Sequence, residues 1–75
     1  MIYTDLTHLV TDGPIEELHE FAQGIGLKRE WFQDHDRHPH YDLIGFKKGL
    51  AVRAGAEVIS SKEVVRILNG LRKSN

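Results

Sequence analysis

The chain has 75 residues, of which 40% are hydrophobic and 28% charged, the composition of an ordinary soluble globular domain rather than a disordered or fibrous one. Ten basic and eleven acidic side chains leave a formal net charge of -1, so no whole-domain field holds nucleic acid by counterion release. There is no cysteine, which excludes a disulfide framework, a thiolate nucleophile and a cysteine zinc site.

Residues 1–75 are read as a single small domain. No apolar run approaches the roughly 20 residues of a membrane helix, and the first residues lack the basic and apolar regions of a signal peptide. A cytoplasmic protein is the expectation.

Met1-Ile2-Tyr3-Thr4 is rich in strand formers and ends at Asp5, which suits a short strand entering a polar loop. Thr11 and Asp12 can cap a helix, Pro14 fits its first turn, and Glu16 and Glu17 favour its positive end. Ile15, Leu18, Ala22 and Ile25 recur at helical spacing, and Gly26 can close the helix. His19, at the margin of that stripe, reads as a boundary or core histidine rather than a ligand.

Trp31 and Phe32 are expected in the core, as part of a short strand or of a helical turn at 28–32. The stretch from Asp34 to His40 has no apolar residue except proline and is expected to be an exposed loop. Asp42 then reads as the cap of a second helix over about 43 to 54, with Leu43, Phe46, Leu50 and Ala54 on one stripe. Ala56-Glu57-Val58-Ile59 reads as a strand. Ser60 and Glu63 have the spacing of a capping box for a third helix to about residue 72, with Val64, Leu68 and Leu71 inward and Lys62, Arg66, Arg72 and Lys73 solvated.

The alternation predicts an α/β fold with about three helices and a short, mainly parallel sheet, the alternative being a mostly α domain. In such sheets ligands sit beyond the carboxyl ends of the strands, which would bring Asp5 to His8, Gln33 to His40, and Ser60 to one edge.

Five histidines occur, three of them between positions 35 and 40. His38-Pro39-His40-Tyr41-Asp42, preceded by His35 and Asp36, collects imidazoles and carboxylates that suit zinc, manganese or iron. Histidines separated by one residue point the same way from an extended chain, and His8, with Asp5 or Asp12, could complete the set. The same letters begin the metal motif of metallo-β-lactamase-type hydrolases, but that fold needs a far longer chain and Leu43 stands where its next histidine belongs. Acid–base chemistry without a metal would use His40 and Asp42, with Tyr41 or His8 assisting. No glycine elbow surrounds Ser60 or Ser61, no phosphate-loop fingerprint occurs, and Ala56-Glu57-Val58-Ile59 makes a helix-turn-helix reading of 51–68 too long at its turn. Sequence-specific nucleic-acid binding is not expected; a protein partner is a candidate.

His8-Leu9, Asp12, Glu17-Leu18-His19, Phe21-Ala22, Gly26-Leu27, His40-Tyr41-Asp42, Ala51 and Gly55-Ala56 together resemble a small domain of bacteria and their phages that forms a family of unknown function. The resemblance spans the first strand through the third helix and brings no activity with it. By position it implies His8, Asp12, His40, Tyr41 and Asp42 as the characteristic polar residues, with His8, His40 and Asp42 as candidate metal ligands. Asp5, His35 and His38 are secondary candidates. The reading is an accessory or binding domain whose His/Asp site holds a small ligand, a divalent metal or a partner group. The alternative is a metal-dependent hydrolase or nuclease using the same residues; whether the domain is an enzyme stays open.

Overall fold

The computed structural model describes residues 1–35 and 38–73, and of His35 and residues 71–73 the backbone only. Five strands, β1 (Ile2–Thr4), β2 (His8–Thr11), β3 (Phe32–His35), β4 (His38–Asp42) and β5 (Glu57–Val58), form one sheet in the order β3-β4-β2-β1-β5. Three helices, α1 (Ile15–Gly24), α2 (Lys47–Arg53) and α3 (Ser61–Lys73), and a 3₁₀ turn at Arg29–Trp31 complete it.

The α/β class and the helix count follow the sequence reading, but the sheet is mostly antiparallel and not mainly parallel. Only β1 and β5 run parallel, with Tyr3 opposite Glu57 and Thr4 opposite Val58. The other three pairings, β1–β2, β2–β4 and β3–β4, are antiparallel. For β1–β2 and β3–β4 the reason is the length of the connections: a link as short as residues 5–7 can only fold a strand back, whereas a parallel return needs a crossover of a dozen residues or more.

That link is built by side chains. Asp5 Oδ1 accepts the amides of Thr7 at 2.9 Å and His8 at 2.7 Å, and Thr4 Oγ1 accepts the amide of Leu6 at 2.9 Å. Between them Leu6 is held at φ 74°, a left-handed conformation that costs a non-glycine residue about 1–2 kcal/mol.

Leu9 and Val10 are both fully buried, on opposite faces of the sheet. Ile2, Leu9 and Tyr41 pack with Leu18 and Ala22 of α1 and Ala51 of α2. On the other face Val10 and Tyr3 meet Val64 and Leu68 of α3. The sheet thus has helices on both sides.

Several local expectations are corrected. The expected exposed loop is replaced at its described residues by strands: Asp34 and His35 lie in β3 and His38, Pro39 and His40 in β4, with Gln33 opposite His40 and Asp34 opposite Pro39. Pro39 is tolerated because β4 pairs with β2 only at Tyr41 and Asp42, so no neighbour on that side misses its amide. Asp36 and Arg37 lie outside the described residues, as do Ser74, Asn75 and the side chains of Leu71, Arg72 and Lys73.

The second helix starts at Lys47, not 43, because Leu43 continues the strand through its amide bond to the Thr7 carbonyl (2.8 Å) and Gly45 breaks the chain at φ 60°. Asp42 therefore ends a strand instead of capping a helix. Thr11 and Asp12 do not cap α1, whose N-cap is Pro14 without a side-chain bond. Trp31 and Phe46, expected in the core, are exposed. The third helix begins as read, with Ser60 Oγ accepting the amide of Glu63 at 3.2 Å.

His19 packs edge-on against Phe32, and its Nδ1 lies 2.8 Å from the hydroxyl of fully buried Tyr41. Burial, and then nearby Arg29, hold its ring below the ordinary 6.5 against a smaller opposing pull from Glu16. As pH falls below about 6.5 the unfolded chain takes up this proton first, so stability drops until the folded ring also titrates. Urea unfolding is expected to need less denaturant at about pH 5 than at about pH 7.5, and His19→Leu to flatten part of that difference. An unchanged pH slope in the variant would contradict this role for His19.

Candidate functional site

The face of the sheet under α3 carries the polar residues. His8 of β2 stands opposite Asp42 of β4, and His40 lies two residues before Asp42, so alternation puts all three on one side. One ligand atom from each of His8, His40 and Asp42 lies within 4.8 Å of the others. His40 Nε2 is 3.4 Å from Asp42 Oδ1, close to the ~3.3 Å that separates two ligands of one tetrahedral zinc ion. The rings of His8 and His40 meet edge to face, centroids 5.3 Å apart.

Each of the three is fixed from behind. His40 Nδ1 donates to the carbonyl of His38 at 2.8 Å. His8 Nδ1 lies 3.1 Å from Asp5 Oδ2. A carbonyl and an ionised carboxylate accept only, so whenever either ring is neutral its proton sits on Nδ1 and Nε2 keeps its lone pair. Asp42 Oδ2 accepts a hydrogen bond from Gln33 Nε2, leaving Oδ1 toward His40.

Asp5 is the anchor. Besides the two turn amides and the His8 ring it accepts the hydroxyl of Ser61, the first residue of α3, at 2.8 Å. Its side chain is 3% exposed. Burial alone would raise this carboxyl, but the hydrogen bonds from His8, Thr7 and Ser61 hold it well below the usual carboxylate range. Asp5, His8, His38, His40, Ser61, Val64, Val65 and Leu68 line a cavity of about 230 Å³ between the sheet and α3. His38 Nε2 is buried there and, among the described residues, has no hydrogen-bond partner.

The other sequence candidates lie elsewhere. Tyr41 projects from the opposite face of β4 into the core. Asp12 is 3.1 Å from the ammonium of Met1 and accepts the hydroxyl of Tyr3 at 3.0 Å, at the far end of β2 from His8. The side chain of His35 is outside the described residues. Ser61 is not among the sequence candidates, and Gln33 is expected at the ligand edge but not as a site residue; its signal is the register opposite His40, which shows only once β3 and β4 are paired.

The family model described as "Protein of unknown function (DUF4031)" matches residues 3–71. The chain belongs to this family. No curated protein and no solved structure gives a match. Among the described residues no helix is long and apolar enough to cross a membrane. The matched span of the family runs from β1 into α3, and so includes the three clustered residues and every group that fixes them.

Because Asp5 is an acceptor toward His8, Asp5→Asn turns that contact around: the amide donates to Nδ1 and moves the imidazole proton to Nε2. The variant is expected to keep its circular-dichroism spectrum but to lose about 10–100-fold in affinity for any metal ion held through His8 Nε2. Asp5→Ala, which leaves the turn amides without an acceptor, is expected to cost about 3 kcal/mol in urea unfolding.

Proposed function

We propose that this domain binds a divalent cation, zinc or manganese, through His8, His40 and Asp42, and serves as an accessory or binding domain built around that site. The observation that carries the reading is the convergence of three potential ligand atoms within 4.8 Å, with Nδ1 of each imidazole already engaged, at Asp5 Oδ2 and at the His38 carbonyl. Two imidazoles and one carboxylate form a donor set of borderline softness, which ranks zinc above manganese. The carboxylate–histidine pair of Asp5 and His8 is the arrangement that commonly orients an imidazole toward a metal.

Three protein ligands leave a position for water or for a ligand's own donor atom. Hydrolysis by metal-bound water would need a further group to move protons. The second carboxylate of the site, Asp5, is already engaged by four hydrogen bonds, which leaves His38 Nε2 in the same cavity as the group a hydrolytic reading would have to use.

Titration calorimetry with zinc chloride tests the reading. The wild-type domain is expected to take up one ion per chain, with manganese weaker, and His8→Ala, His40→Ala and Asp42→Ala each to weaken zinc by about 100-fold or more, since each removes one of few ligands. Asp12→Asn is expected to bind like wild type. Zinc binding that survives in the His8→Ala/His40→Ala double variant would contradict the assignment.

A further inference from the structure

Asp42 belongs to a second concavity as well. A groove of about 640 Å³ beside the end of β4 is lined by Leu27, Trp31, Gln33, Asp42, Ile44 and Phe46, among others. Ile44 is 76% exposed, Phe46 75% and Trp31 45%. Three large apolar side chains left in water around one groove are costly for so small a domain, and such patches mark places where something binds. The groove's size is that of a small-molecule site, and its lining is that of one too: apolar walls with a few convergent polar groups.

Those polar groups connect it to the His/Asp cluster. Gln33 and Asp42, hydrogen-bonded to each other, line the groove, while Asp42 also faces His40. Lys47, itself part of the lining, is held by the carbonyls of Ile25 at 3.0 Å and Gly26 at 3.3 Å with its ammonium 5.1 Å from the centre of the Phe46 ring, and Glu30 adds a carboxylate, so the walls suit an uncharged body. A molecule seated against Trp31 and Phe46 would meet Asp42, the residue that the groove shares with the His/Asp cluster.

We propose that the domain's ligand is an amphipathic small molecule, with an aromatic or branched apolar body in the Trp31–Ile44–Phe46 groove and an oxygen-donor head on the cation at His8, His40 and Asp42. This rests on the metal reading above. Trp31, the chain's only tryptophan, makes the groove directly observable by fluorescence.

The test compares two hydroxamates with the same chelating head, 3-phenylpropionohydroxamate and acetohydroxamate, added to the zinc-loaded domain. Burying the phenyl group is expected to make the first bind about tenfold tighter or more and to change Trp31 emission, while the second leaves the emission unchanged. Phe46→Ser removes an exposed side chain just before α2, where serine is well tolerated, and is expected to abolish the preference while zinc affinity stays within about twofold of wild type.

If zinc itself does not bind, the metal reading and this inference fall together. If zinc binds but the two hydroxamates bind equally, or the preference persists in Phe46→Ser, only the groove assignment is overturned. It is also overturned if Trp31 emission changes with protein concentration alone and Phe46→Ser removes that change, which would give the groove to a second copy of the chain.

Discussion

One carboxylate holds the site and the fold together. Asp5 stands where β1 ends, and its two oxygens close the turn into β2, orient the ring of His8 and fasten the first residue of α3. Without the turn, β2 would not fold back beside β1, and His8 would not reach its register opposite Asp42. Without the bond to Ser61, the helix that covers the polar face would lose its attachment beside the cluster. A buried carboxylate is costly unless its oxygens are satisfied, and here both are. The same bonds that stabilise the charge decide which nitrogen of His8 carries the proton.

The two faces of the sheet divide the labour accordingly. Toward α1 and α2 lies the larger apolar cluster, sealed by Tyr41, whose hydroxyl finds His19. Toward α3, among the described residues, Val10, Tyr3 and Ile59 supply apolar contact with Val64 and Leu68, and the cavity beside them is lined by Asp5, His8, His38 and His40. Because β4 alternates, His40 and Asp42 are on the polar face while Tyr41 between them is in the core. The His-Tyr-Asp triplet is thus one residue of packing between two residues of site.

The helices were legible in the sequence because their signals are local: the apolar stripe of α1, the Ser60/Glu63 box of α3. Of the strands, β1 and β5 were read where they lie, but β2 and β4 were not. β2 is four residues long and buried on both faces, so His8-Leu9-Val10-Thr11 shows no alternation to read. In β4 the alternation is present, but the side facing α3 is His38, His40 and Asp42, polar residues that read as loop letters. The parallel sheet was inferred from alternation of elements, and short links overruled it. The expected proximity of His8, His40 and Asp42 is met for a different reason, cross-strand register instead of a shared sheet edge. Trp31 and Phe46 were assigned to the core by residue type alone, and nothing in the sequence marked the groove they flank.

The central claim is that Asp5 and the His38 carbonyl present two Nε2 lone pairs to one cation. Long-range ¹H–¹⁵N correlation spectra of the imidazoles, recorded without and with zinc, test it most directly. The account predicts that His8 and His40 both carry their proton on Nδ1 before zinc is added, and that zinc moves the Nε2 resonances of these two rings while His19 stays in place. Protonation of Nε2 in either ring of the zinc-free protein, or Nε2 signals of His8 and His40 that do not respond to zinc, would contradict it.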